Sequence, residues 1–474
     1  MTAARELQSA PKEAPSDEPR ALRTRDLAGV QLLQRTIGNR AVARLLGGAP
    51  QQGQLIQGEG QIYEIIRSDF DKGTNEWKYK VKGADGKEKT IGDWDPAYSF
   101  TSATQLIEKA IADKTAANWR STIDSLPEQR VNELAGFHAW LDKIVPQVSD
   151  WRFAYLAASI MIVSTHAPAA RKEARRQISA ELGDKDVAMR MIKTPVITVI
   201  VPRDKQMTEL PEFSSLKASD SGAGPGKTFD GREWAHVRGV GNVKANGKTY
   251  AAVTEENILG GDPDPKVFAE KKDEHGTVVT PGGAVQGGYT SGYSTTTHEF
   301  AHVLHLNGLD ATDKATITKA YNDRRAASTG SRTKLTKRWV DGPRVSPSAP
   351  KNWKDAGWTD AKWLKHLASL TDDQRRPFEC YASQTEMEYF AQLSNAYLGT
   401  NLGTDPTTGQ PRKNGRAWIK AHEPKEMVDL LDKLYQRKTV NDITKGGKLV
   451  KGGKCANPPK PAPRPPGKPP KGGA

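Results

Sequence analysis

Read as apolar and polar positions, the chain changes period several times, and each change marks a border. Residues 1–25 are polar, with Pro11, Pro15 and Pro19, and predict no packed structure. From 26 to 46 apolar residues recur at helical spacing, with Arg35, Arg40 and Arg44 on another side. Gly38-Asn39 predicts a break into two short helices. A Gly/Gln-rich linker follows over 47–60. Residues 61–66 and 76–81 carry β-prone patterns, 84–87 reads as a turn and 89–94 as another strand, so 55–100 predicts a small β module. Residues 101–193 return to a helical period. Segments near 102–118, 127–145, 148–165 and 168–182 are broken at Pro127, Pro146 and Pro168. Trp119, Trp140 and Trp151 are read there as core or interface aromatics, and His138 and His166 as structural.

At Pro195 the pattern changes again. Val196-Ile-Thr-Val-Ile-Val201 is β-branched throughout and apolar but for Thr198, which predicts a buried strand. Residues 233–254 read as a hairpin turning at Asn246-Gly247. Residues 258–292, rich in Gly, Pro and Asp, predict loop, and Gly287 to Gly292 lead into a helix that begins near Ser294. Further helices are expected at 312–326, 360–374, 384–398 and 424–437. The stretch 327–360 carries Trp339, Trp353, Trp358 and many Lys and Arg; it reads as a surface loop, with an exosite as the alternative. From about Lys445 the chain is a Lys/Gly/Pro-rich solvated tail. The division expected is 1–50, 55–100, 101–193, 194–443 and 444–474, in an α+β multidomain architecture.

Composition supports that division. Only 36% of the 474 residues are hydrophobic, with 30 Pro and 43 Gly, which implies two or three domains beside unpacked segments. The formal net charge of +14 suits either solubility or attraction to polyanions. Two cysteines, Cys380 and Cys455, make neither a disulfide framework nor a thiolate zinc site. The polar N-terminus predicts no secretory signal peptide, hence synthesis into the cytoplasm. The most apolar run, 153–163, is shorter than a bilayer requires and predicts a buried helix.

Chemistry enters at His298-Glu299-Phe300-Ala301-His302. Two histidines four apart on a helix share one face and can bind one zinc ion, with Glu299 beside it as a general base for water. The three preceding threonines are candidate helix caps. A catalytic site needs a third protein ligand. His305 fails the metzincin spacing, and Asp310 begins a turn. Ser383-x-x-Glu386 fits a capping box, which gives Glu386 a structural task. Glu388 lies on a polar stripe with Gln392 and Asn395 along an otherwise apolar helix, and is the preferred third ligand.

His298-Glu-Phe-Ala-His302 followed by Tyr381-x6-Glu388-Tyr-Phe-Ala resembles the catalytic domain of the anthrax lethal factor family of gluzincin metallopeptidases. The resemblance spans roughly 190–440. It implies a zincin-like domain with mixed sheet and active-site helix, and zinc bound by His298, His302 and Glu388. It also implies Glu299 as general base and Tyr381 as donor to the oxyanion or leaving amine. Gln392 stands where the family carries a second acid. The segment Leu-Gln-Arg-Thr-Ile-Gly-Asn-Arg-Ala-Val-Ala-Arg-Leu-Leu, within 26–46, resembles the N-terminal segment of cargo of bacterial extracellular contractile injection systems. The expectation is therefore a zinc endopeptidase effector, loaded through 26–46 and exported to a target cell or the extracellular space, that cuts a protein substrate. The rivals are a non-catalytic, zinc-stapled component of the injection particle and a basic nucleic-acid-binding toxin. No nuclease constellation supports the second.

Overall fold

The computed structural model describes residues 55–112, 121–123, 150–283 and 292–435, apart from short stretches within them. The segments 1–54 and 436–474, and with them the loading segment, the tail and Cys455, lie outside the described residues, as do the expected helix at 127–145, Trp119, Trp140 and His138. The fold is mixed α+β, and contacts divide it into two compact units.

The first unit is the β module. Strands β1 (Leu55–Gly58), β2 (Gln61–Asp71), β3 (Glu76–Gly83), β4 (Glu88–Gly92) and β5 (Tyr98–Thr101) form one antiparallel sheet in the order β4-β3-β2-β1-β5. Alternation places Tyr63, Ile65, Tyr79 and Val81 on the face that packs with Ile56 and Ile91. β1 falls where the expected linker (47–60) and the expected β module (55–100) overlap. Its Leu55 and Ile56 are buried, and those two apolar residues pair with β2 and β5 to extend the sheet.

The second unit begins with helices α1 (Ala103–Ala112), α2 (Asp150–Met161), α3 (Pro168–Glu181) and α4 (Lys185–Lys193). Residues 153–161 of the apolar run lie in α2, with Phe153 through Ala158 buried. The expected border at 193/194 falls inside this unit, because α3 packs on the later helices and Gln177 accepts a hydrogen bond from Ser294 (2.7 Å).

A three-stranded sheet follows, with strands β6 (Val196–Val201), β7 (Gly239–Ala245) and β8 (Lys248–Thr254) in the order β6-β8-β7. β6 runs parallel to β8, and β7 antiparallel. The hairpin turns at Asn246 and Gly247, both at positive φ (46° and 72°), as a tight two-residue turn requires. Among the described residues β7 has a partner on one side only.

The later helices include α5 (Thr295–Val303), α6 (Ala311–Ala327), α7 (Asp360–Ser369), α8 (Tyr381–Gln384), α9 (Glu386–Leu398) and α10 (Lys425–Tyr435). α5 packs against β7, α3 and α9. The 327–360 stretch is not a surface loop. Leu335, Val345 and Ala349 form a small core with Trp363 and Leu367 of α7, and Trp339, fully buried, meets the Tyr389 ring of α9 edge-on at 5.8 Å. No helix among the described residues is long and apolar enough to cross a membrane.

Candidate metal centre

The centre is built on α5. Its N-cap is Ser294, whose Oγ accepts from Thr297 N (3.0 Å); the three threonines lie inside the first turn rather than capping it. Every residue of α5 is buried, because sheet, α3 and α9 surround it. The approach of β7 depends on two glycines. A Cβ on Gly239 would stand 2.7 Å from Thr295 Cγ2 and 2.8 Å from Glu299 Oε1. One on Gly241 would stand 2.6 Å from the Glu299 carbonyl oxygen and 2.7 Å from His302 Cβ.

His298, Glu299 and His302 bring ligand atoms within 4.8 Å of one another, a group that could hold a metal ion. The two imidazole Nε2 atoms lie 3.2 Å apart. Glu388 Oε2, from the first turn of α9, stands 3.0 Å from His298 Nε2 and 3.5 Å from His302 Nε2. Despite that proximity Glu388 Oε2 is buried without a well-formed hydrogen bond. Three atoms at about 2.0–2.1 Å from one tetrahedral ion lie about 3.3 Å apart, which is the size of this triangle. The donor set, two imidazoles and a carboxylate, thus fits zinc.

The electrostatics agree with an anionic carboxylate facing two imidazoles. Burial pushes the Glu388 carboxyl up, but His302 and His298 outweigh it and hold it well below the usual range. Burial would lower His298, yet Glu388 and Glu299 raise it overall. Burial also raises Glu299, against the two imidazoles. The Tyr381 ring stacks on the His298 ring, with centroids 5.5 Å apart and planes at 30°. Tyr293 approaches the same ring at 6.2 Å.

The other sequence candidates are elsewhere. His305 lies in a π-helical turn, Leu304–Gly308, its ring 5.4 Å from Phe390, and burial lowers it to about 4. Asp310 caps α6 by accepting from Asp313 N. His166 pairs with Glu212 at 3.1 Å. The expected capping box is corrected: the N-cap of α9 is Thr385, which accepts from Glu388 N (3.1 Å). Ser383 belongs to α8 and donates to the Cys380 carbonyl, and Glu386 opens α9 as its first residue. Two members of the polar stripe of α9, Gln392 and Asn395, are fully buried. Gln392 donates to both Asp341 oxygens (3.1 and 2.9 Å) and accepts from Tyr293 Oη (3.0 Å).

Asp341 is the residue that sequence reasoning missed. It is fully buried in the 327–360 stretch, accepts from Ala382 N (2.9 Å) and lies 3.5 Å from Arg412 Nε. Burial, against Arg412, raises it to about 6. Arg412 in turn covers the Tyr293 ring at 4.2 Å.

No protein-family model matches this chain, and comparisons with curated proteins and with solved structures also yield no match.

Proposed function

We propose that the chain is a zinc-dependent endopeptidase of gluzincin type, with a zincin-like domain built on β6–β8, α5 and α9. The observation that carries this reading is the triangle of His298 Nε2, His302 Nε2 and Glu388 Oε2, with edges of 3.0–3.5 Å, beside a buried carboxylate that is not one of its corners. His298, His302 and Glu388 would hold the ion. Zinc bound there supplies a Lewis acid that polarises a carbonyl and makes water acidic near neutral pH.

Glu299 accepts the proton of the attacking water and returns it to the leaving amine, and its raised affinity for protons suits that exchange. Tyr381, stacked over His298, donates a hydrogen bond to the oxyanion that forms as the carbonyl is attacked. The side of β7 that has no strand partner among the described residues, on a strand pressed on α5 by Gly239 and Gly241, offers backbone groups that an extended peptide can join as an added strand. That mode reads the peptide backbone and therefore suits cleavage within a protein chain.

The effector role rests on the resemblance of 26–46 to injection-system cargo. Removing 26–46 should prevent loading while leaving zinc binding intact.

The test of the centre is metal analysis of the wild type, Glu299→Gln and a His298→Ala/His302→Ala pair after incubation with stoichiometric zinc. One zinc per chain in the first two and none in the third is expected. A wild-type chain that retains no zinc overturns the reading.

A further inference from the structure

Tyr381 has an unusual footing. It opens the four-residue helix α8, and the first two amides of that helix are each held by a buried carboxylate from a distant segment. Tyr381 N donates to Asp405 Oδ2 (2.8 Å), and Ala382 N donates to Asp341 Oδ2 (2.9 Å). Asp405 is aimed by its own loop: its Oδ1 accepts from Thr407 N (3.1 Å), Thr408 N (2.6 Å) and Thr408 Oγ1 (2.8 Å). Asp341 is aimed by Gln392, one turn beyond Glu388 on α9, and by Arg412. Both carboxylates are at most 1% exposed.

A four-residue helix contributes little stability of its own, since one turn fixes several dihedrals for a single hydrogen bond. The place of the Tyr381 ring over His298 must then come from what anchors its backbone. We propose that Asp405 and Asp341 are positioning residues for Tyr381, setting the ring against the metal centre from outside the metal helices. This rests on the metallopeptidase reading for its catalytic meaning. Asp341 has a second consequence: through Gln392 it also ties Tyr293, a second tyrosine beside His298, into the same network. The 327–360 stretch thereby contributes to the site although none of its residues is a ligand.

The substitution Asp405→Asn separates this role from general packing. The asparagine keeps one oxygen for the threonine loop but presents an N–H pair to Tyr381 N, so the bond to α8 is lost selectively. The probe is the full chain labelled with 3-fluorotyrosine. Its Tyr381 fluorine line is assigned from Tyr381→Phe and its Tyr293 line from Tyr293→Phe, and both are followed as zinc is added.

In the wild type, zinc is expected to shift the Tyr381 line. In Asp405→Asn that shift should fall by at least half, with zinc affinity within about threefold of wild type and the Tyr293 line unmoved. In Asp341→Asn both lines should move. Thr408→Val removes one bond that aims Asp405 and serves as the milder variant if Asp405→Asn does not fold; a smaller change in the same line is expected. A Tyr381 line with wild-type position and zinc response in the variants overturns the inference, as does a tenfold or greater loss of zinc affinity in Asp405→Asn. A wild type that binds no zinc overturns the metallopeptidase reading itself, a different result from zinc binding with an unmoved Tyr381 line.

Discussion

Gly241→Ala tests how tightly β7 is set against α5. The added Cβ would stand 2.6 Å from the Glu299 carbonyl oxygen, 2.7 Å from His302 Cβ and 3.2 Å from His302 Cδ2. Carbon pairs rest at about 3.5–4.0 Å, so strand and helix must separate by roughly 0.8 Å or more. β7 cannot retreat alone, because Gly239, Val240 and Val243 are paired with Val253, Ala252 and Tyr250 of β8. Overpacking of this kind costs about 1–3 kcal/mol. A second effect follows from the atom struck. His302 carries a corner of the ligand triangle, and metal ligands tolerate displacements of only about 0.2 Å. Zinc affinity should fall at least tenfold, measured by competition with a chelator of known affinity, alongside a lower urea midpoint. Gly247→Ala is the control: its φ is +72° and nothing lies within 4 Å of the new Cβ. It should lose about 1 kcal/mol or more through backbone strain, without any change in zinc affinity. If Gly241→Ala unfolds and binds zinc as the wild type does, the reasoning about the close approach of β7 is wrong.

Other expectations follow from the same geometry. Glu388→Ala should weaken zinc binding by more than about 100-fold, since even groups outside the ligand set contribute about 10–100-fold; unchanged affinity in a competition titration would remove Glu388 from the ligand set. Tyr381→Phe should keep its zinc and lower kcat for peptide cleavage by about 100-fold or more with little change in KM, as loss of an oxyanion donor does; an equal kcat would remove Tyr381 from the mechanism. His305 is held neutral by burial, its pKa lowered to about 4. The unfolded chain takes up a proton near pH 6.5 that the folded chain refuses, so stability present above pH 6.5 is lost as pH falls toward 4. The loss at pH 5 is about 2 kcal/mol. In urea titrations of metal-free protein at pH 7 and pH 5, His305→Gln should show a correspondingly smaller decline than wild type, and an equal decline would refute the assignment.

Local rules made much of this molecule legible from its residues. Asn246-Gly247 marks a turn because few residues accept positive φ, and the turn is there. The run 196–201 is a buried strand because it has no polar face to give to water. His298 and His302 lie on one helix face by helical period alone. What was not legible depends on contacts between distant segments. Thr385 and Ser383 are both good caps by chemistry, and the choice between them was made by the separate helix α8, which absorbs Ser383. Asp341 carries no local signal: its partners are 41 and 51 residues away in sequence, so only the folded chain brings it to Ala382 and Gln392. The 327–360 stretch reads as a loop because its apolar residues lack a period, yet Trp339 packs in the aromatic core beside Tyr389, and Leu335, Val345 and Ala349 pack with α7.

The proposed peptidase activity depends on Glu299 as the base. The most direct measurement compares new protein N-termini in a target-cell extract treated with zinc-loaded wild type or with Glu299→Gln carrying the same amount of zinc. New N-termini that arise at defined sites with the wild type and are absent with Glu299→Gln are the predicted result. Identical N-termini from the two proteins, with zinc bound to both, would contradict it.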